Sequence, residues 1–390
     1  MVHSPVDVHL PVAVDVMGGD LGPAVIVEGA VKAALDSNQP VLLIGNESQI
    51  RNALNRIGAD NQALIKVHHA AEVITMDDTP AKAIRTKPNA SIVVAFELVR
   101  SGHASAVVSP GNTGAMMAAG LFVSGTLPGI VRPAIASLIP RVSQSEPTIL
   151  LDSGANIDCS AEQLVQFAMM GDLYAKLAVG ISSPKVALLS NGSESSKGTD
   201  LIRSAAAELR TNKTLDYIGF VEGRDIPKGV ADVVVCDGFV GNIVLKTMEG
   251  TAELVIDSIR QAVEKSLVAK IGMGLAKPTM KKLFHDKLDP SAYGGAPLLG
   301  LNHIGIVCHG RSNQRAIMNA VRIAQKLSGA KLIERLTESL ANYQCKAEAG
   351  YEDGIWDRIG QKFEKRKKSK VGVGAVVLTD ADSKNLTKKE

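Results

Sequence analysis

The chain has 390 residues, too many for one small core and enough for two domains or one large one. Apolar residues make up 45% and charged residues 21%, the balance of a globular protein, while aromatics at 3% disfavour a base-stacking nucleic-acid binder. A net charge of +3 is too small to argue for a polyanion partner. The four cysteines show neither CxxC nor zinc-like spacing, which disfavours a disulfide framework or metal site and suits a reducing cytoplasm.

The opening "MVHSPVDVHLP" has no basic segment followed by an apolar run, so no secretory signal is expected, and residues 1–11 read as a leader. No uncharged apolar run is long enough to span a bilayer. "VAVDV" (12–16) is a buried-strand pattern ending in "MGGD". Pro23 then opens a helix whose apolar residues recur with the helical period. "VLLIG" (41–45) is the next strand and 48–58 the next helix. This βαβ run predicts a parallel sheet.

The alternation continues. Strands are expected at 105–109, 134–139, 147–152, 185–189, 216–221, 232–236 and 304–308. Helices are expected near 89–101, 112–124, 160–179, 199–210, 241–265 and 312–328. Between them, 266–290 breaks the rhythm with Leu267, Ile271, Met273 and Leu275 set among lysines. Gly272, Gly274 and Pro278 there predict two short helices rather than one. Residues 346–390 read as a basic, solvated tail. His68 and His69 lack metal-binding spacing and read as surface.

Most strands end in a small-residue turn: "DVMGGD" (15–20), "SPGNTGA" (109–115), "LDSGAN" (151–156), "LSNGSESSKG" (189–198), "CDGFVGN" (236–242) and "CHGRSN" (308–313). In an open parallel sheet the carboxyl ends of the strands gather ligands on one side. Six such turns would bring Asp15, Gly18, Gly19, Asp20, Asn112, Thr113, Asn156, Lys197, Asp237, Asn242, His309, Ser312 and Asn313 to one cleft. Backbone N–H groups at strand–turn–helix junctions suit an anion. Neither a dinucleotide fingerprint nor a P-loop is present, so no nucleotide cofactor is implied. "YGGAPLLG" (293–300), with Gly294 and Gly295, reads as a rigid loop along which a long apolar group can lie.

Taken in order, "VDVMGGD", "SPGNTGA", "DSGANIDC", "KGTDLI", "DGFVGN", "YGGAPLLG" and "HGRSN" resemble the phosphate acyltransferase (PlsX) family of bacterial phospholipid synthesis. Val16 stands where the family usually has Ala before MGGD, and Pro110 where it usually has Ala before GNTG. "SNGSESS" replaces a more acidic loop. The resemblance implies an α/β/α sandwich like isopropylmalate dehydrogenase and phosphotransacetylase, spanning 12–345 with a helical insert at 266–290. It further implies a homodimer peripheral to the inner face of the cell membrane, with no cofactor.

The implied reaction transfers an acyl group from acyl carrier protein to inorganic phosphate. The product, acyl phosphate, then feeds a glycerol-3-phosphate acyltransferase. On this reading Gly111–Gly114, Ser312 and Asn313 cradle phosphate. Lys197 and Asn242 stabilise the oxyanion, Asp237 orients Lys197, and His309 protonates the leaving sulfur. The insert meets anionic lipid, and Lys82, Arg85 and Lys87 offer charge to an acidic carrier protein. Alternatives are a coenzyme A-dependent phosphotransacetylase, a decarboxylating dehydrogenase and a non-catalytic membrane scaffold.

Overall fold

The computed structural model of the protein describes residues 10–142, 146–283 and 289–341. Most of the leader and all of the basic tail lie outside them. The first half runs β1 (Val12–Asp15), α1 (Pro23–Ser37), β2 (Val41–Gly45), α2 (Glu47–Arg56), β3 (Ile65–His69), α3 (Pro80–Thr86), α4 (Ser91–Arg100), β4 (Ala106–Ser109) and α5 (Thr113–Ala119). Then come β5 (Ala134–Ile139), β6 (Thr148–Leu151), α6 (Ala161–Tyr174), β7 (Lys185–Leu189), α7 (Asp200–Thr211), β8 (Asp216–Val221) and β9 (Val233–Val235). The chain closes with α8 (Gly238–Glu264), α9 (Leu267–Leu283), β10 (Ala296–Leu299), β11 (Ile304–Val307), α10 (Gln314–Gly329) and α11 (Leu332–Ala341). Both α5 and α6 are prolonged by a π-helical turn, at Gly120–Ser124 and Ala175–Val179.

The strands of the described residues form one sheet of eleven, in the order β3-β2-β1-β4-β11-β10-β5-β6-β9-β7-β8. Strands with both faces covered read as near-continuous apolar runs, and β1, β2, β4, β6 and β9 are buried at every position. On one face the core takes side chains from α1, α2, α6, α7 and α10. The other face is covered by α4 in the first half of the sheet. In the second half Val244, Leu245 and Met248 of α8 cover it. These layers make the α/β/α sandwich.

Strand polarity departs from an all-parallel sheet. β3, β2, β1, β4 and β11 run together. β10 is antiparallel to both β11 and β5, and β5 is antiparallel to β6. Three reversals in succession leave β6, β9, β7 and β8 parallel to each other but opposed to the first half.

Two local expectations are corrected. Residues 296–299 are a buried strand, not a ligand-facing loop. A Cβ on Gly294 would lie 2.5 Å from the Ala320 nitrogen, and one on Gly295 would lie 2.7 Å from the Val307 oxygen. These glycines let β10 press against β11 and α10. The second correction is that α9 is one helix through Pro278. The proline withholds an N–H from the Gly274 carbonyl, and Gly274 is exposed, so water can serve it. None of the described helices is long and apolar enough to cross a membrane.

Candidate active site

Two groups of turn residues emerge, one from each half of the sheet. The first is organised by Asp15, the last residue of β1, which is buried. Its carboxylate accepts from the Ser109 hydroxyl at 2.7 Å and from the Met17 N–H at 3.0 Å. Burial pushes its pKa up, against the lowering effect of Ser91, Ser109 and the Met17 and Gly18 amides. Ser109 in turn accepts from the Gly111 N–H at 3.1 Å. The turns after β1 and β4 touch backbone to backbone, because a Cβ on Gly18 would sit 2.7 Å from the Gly111 Cα. Gly19 packs against Pro110 and Ile26.

The turn after β11 joins this group. The Cys308 N–H donates to the Ser109 carbonyl at 2.8 Å, and the Asp20 N–H to the Gly310 carbonyl at 2.8 Å. Ser312 is buried. Asn313 caps α10 by accepting from the Ala316 N–H, and Asn112 caps α5 by accepting from the Ala115 N–H. The Asn112 amide also donates to the carbonyls of Thr75 and Met76, at 3.4 and 3.2 Å. Both ends of its side chain are therefore occupied, and the Gly111 N–H is too. Neither is left over for phosphate, contrary to expectation. Thr113 is exposed, and a Cβ on Gly114 would press on Pro80. His309 is exposed, and its Nδ1 accepts from the Arg311 N–H at 3.2 Å. In the neutral ring that bond places the proton on Nε2.

The second group centres on Asp152, which the motifs alone did not single out. It is fully buried. Its carboxylate accepts from the N–H groups of Ile135, Gly154, Ala155 and Asn156 and from the Asn156 side-chain amide, at 2.7–3.1 Å. Burial raises its pKa against the lowering effect of the Ala155, Ile135 and Asn156 donors. The signal was the acid opening "DSGAN", whose small residues let the chain fold back around one carboxylate. The Asn156 amide also donates to the Pro133 carbonyl, and its own carbonyl accepts from the Gly238 N–H at 2.7 Å.

α8 therefore starts directly on this turn. A Cβ on Gly241 would lie 1.8 Å from the Asp152 oxygen. Asn242 is exposed beside Gly154. Asp237 caps α8 through the Val240 N–H at 2.8 Å. Lys197 is exposed, its methylenes pass close to Gly192, and it forms no ion pair with Asp237. The expected orienting role of Asp237 is replaced by capping.

The premise that all six turns end on one side does not hold, since the strands carrying the second group run opposite to those carrying the first. No hydrogen bond among the described residues joins the two groups. In the insert, Leu267, Ile271 and Leu275 recur every four residues on α9 and are 78%, 67% and 82% exposed. Met273 is half-buried on the other side of the helix, about 200° from Ile271, and leaves this stripe.

The comparisons agree with this architecture. A family model described as fatty acid synthesis protein matches residues 10–335. A phosphate acyltransferase of Trichlorobacter lovleyi is 48% identical over 333 residues, covering 85% of this chain and 95% of the relative. One from Citrifermentans bemidjiense is 50% identical over 333 residues, covering 84% and 93%. Among solved structures, a phosphotransacetylase from Streptococcus pyogenes matches with a TM-score of 0.55 at 21% identity, covering 83% of this chain and 94% of that one. The EutD phosphotransacetylase of Staphylococcus aureus matches at 0.50 and 17%, covering 82% and 94%. These structural likenesses concern the fold. The relatives at 48% and 50% identity over most of the chain make this protein an acyltransferase. The chain belongs to the fatty acid synthesis protein family, among phosphate acyltransferases.

Proposed function

We propose that this enzyme moves a fatty acyl group from the thioester of an acyl carrier protein to inorganic phosphate. A phosphate oxygen attacks the thioester carbonyl, the C–S bond breaks, and the carrier thiol leaves. The observation that carries the reading is 48% identity to a phosphate acyltransferase across 85% of the chain. The acyl phosphate would serve a glycerol-3-phosphate acyltransferase in phosphatidic acid synthesis. A coenzyme A thioester is the alternative donor.

The residues suit this chemistry. Phosphate is itself the nucleophile, so the protein must supply position and charge balance. In the first group the N–H groups of Thr113 and Gly114, at the start of the 113–124 helical stretch, precede the capped positions. With the Asn313 amide they would hold phosphate. The Nε2–H of His309 would hydrogen-bond the departing sulfur, and the proton that the thiolate takes up is the one phosphate gives up on forming the acyl phosphate. From the second group, Asn242 and Lys197 would face the oxyanion. A twist of about 20–25° per strand accumulates to about 80–100° over the four steps from β4 to β6. The reversed carboxyl ends then point across the first group rather than straight away from it, and a thioester can span both.

The exposed Leu267, Ile271 and Leu275, with Lys270 and Lys277 on the same helix, suit an anionic membrane surface. A homodimer at the inner face of the membrane is part of this reading. Phosphate-dependent consumption of a long-chain acyl-carrier thioester, with the product trapped by hydroxylamine, tests it. Hydroxamate from the carrier thioester supports the reading, hydroxamate from acyl coenzyme A alone selects the alternative donor, and no hydroxamate from either favours a non-catalytic scaffold.

A further inference from the structure

Residues 73–87 form a strap across the first turn group. Asn112 holds it through the carbonyls of Thr75 and Met76. Pro80 presses on Gly114, and α3 lies on α5. The Met76 methyl sits where a Cβ on Gly310 would come within 2.9 Å. The strap is clipped to itself: Asp78 accepts from the Thr75 N–H at 2.8 Å and from Lys87 at 2.6 Å, and Lys87 also donates to the Val73 carbonyl at 3.0 Å. Lys87 is therefore committed internally.

Lys82 and Arg85 are not. They stand three residues apart on α3, so they share one face, and both are exposed. The opposite face, Ala83 and Ile84, is buried. Arg85 donates its Nε to the Ala81 carbonyl one turn back, a bond that does not use its terminal nitrogens. No ion pair engages either residue within the described structure, and α3 contains no acid. Arg311, exposed in the neighbouring turn, adds a third cation. The exposed acids Asp20 and Asp77 lie on turns rather than on the helix.

We infer that the exposed face of α3 docks the protein carrier of the acyl thioester, through acidic side chains on that carrier that pair with Lys82 and Arg85. The inference rests on the proposed acyl transfer and adds where the donor lands. The position suits a docking face, because α3 borders the first turn group directly. A thioester on a flexible arm anchored here starts beside the Thr113 and Gly114 amides. Clipping by Asp78 and Lys87 keeps the docking helix rigid, which lowers the ordering cost of binding.

The test separates docking from chemistry. Binding of a fluorescently labelled acidic acyl carrier protein, followed by anisotropy, needs no turnover. Steady-state rates would be measured beside it with the acyl-carrier thioester and with acyl-pantetheine, which has the same reacting bond and no protein. Charge reversal in Lys82→Glu/Arg85→Glu is expected to weaken carrier binding about tenfold or more, and added salt to bring the wild type towards the variant. The KM for the carrier thioester should rise in parallel while acyl-pantetheine rates stay within about twofold of wild type. Unchanged carrier binding in the variant overturns the inference, as does a wild type that binds no carrier. Equal losses with both donors overturn it too, because they would mean that α3 serves the reacting centre. If binding is lost in the variant while the wild type makes no acyl phosphate, docking stands and the proposed reaction falls.

Discussion

The Asp15 carboxylate and the Ser109 hydroxyl lie 2.7 Å apart, both buried, and bind the ends of β1 and β4 into one unit. Through Ser109 this pair also holds the Gly111 N–H. Ser109→Ala removes a donor to a buried carboxylate and an acceptor from a buried amide together. Leaving such groups unmet costs about 1–3 kcal/mol. Urea denaturation should show that loss, and the variant's KM for phosphate should rise because the 111–114 turn is no longer fixed.

The same carboxylate gives stability a pH signature. Burial holds the Asp15 pKa above its ordinary value of 3.8, so the folded state binds the proton more tightly than the unfolded one. Stability from this group is therefore greatest below 3.8 and declines as pH rises through the folded pKa. Asp15→Asn has no such dependence. The stability advantage of wild type over the variant should shrink from acid to neutral pH in urea titrations; an advantage that grows would contradict the assignment.

Asn112 does two jobs that substitution can separate. Asn112→Asp keeps the cap on α5 but loses the amide that holds Thr75 and Met76. Asn112→Ala loses both, at about 1 kcal/mol for the cap. Hydrogen exchange around 75–79 should accelerate in both variants, whereas global stability should fall mainly in the alanine variant.

Two glycines of α8 should respond in opposite senses. A Cβ on Gly241 would lie 1.8 Å from the Asp152 oxygen, and Gly250 has open space around it. Gly241→Ala should cost about 3 kcal/mol or more by forcing α8 off the Asp152 turn. Gly250→Ala should stabilise by up to about 1 kcal/mol through helix propensity. Thermal melts of the two variants distinguish this local clash from a general intolerance of α8 to change.

A hydrogen bond from His309 to the departing sulfur predicts a dependence on the leaving group. His309→Ala should slow transfer from an alkyl thioester by about 100-fold, and slow an activated aryl thioester far less, since that thiolate departs unaided. Equal slowing of both would remove His309 from the leaving-group site.

The sequence was most informative where one element decides its own conformation. Pro23 at the start of α1 and the near-continuous apolar runs of β1 and β2 are local facts, and all three elements lie where the pattern places them. β10 depends on others: "APLL" carries a proline between glycines, and only its pairing with β11 and β5 makes it a strand. Strand polarity is equally non-local, so the turns were legible while their division into two groups was not. Asp152 escaped notice because its significance is the ring of amides around it, not its identity. In the insert, the stripe of Leu267, Ile271 and Leu275 was readable, but the side on which Met273 falls required a continuous helix.

The place of β10 and β11 in the sheet also bears on how the chain is assembled. This late hairpin is the seam between β4 and β5, which are separated from it by well over a hundred residues. Until residues 296–307 emerge from the ribosome, the halves have no shared strand, and β4 and β5 each keep an open edge. Such edges invite mispairing, and contacts of this range form slowly. A nascent chain stalled before residue 296 should therefore hold two unjoined lobes, and holdase chaperones would find their binding sites along those edges.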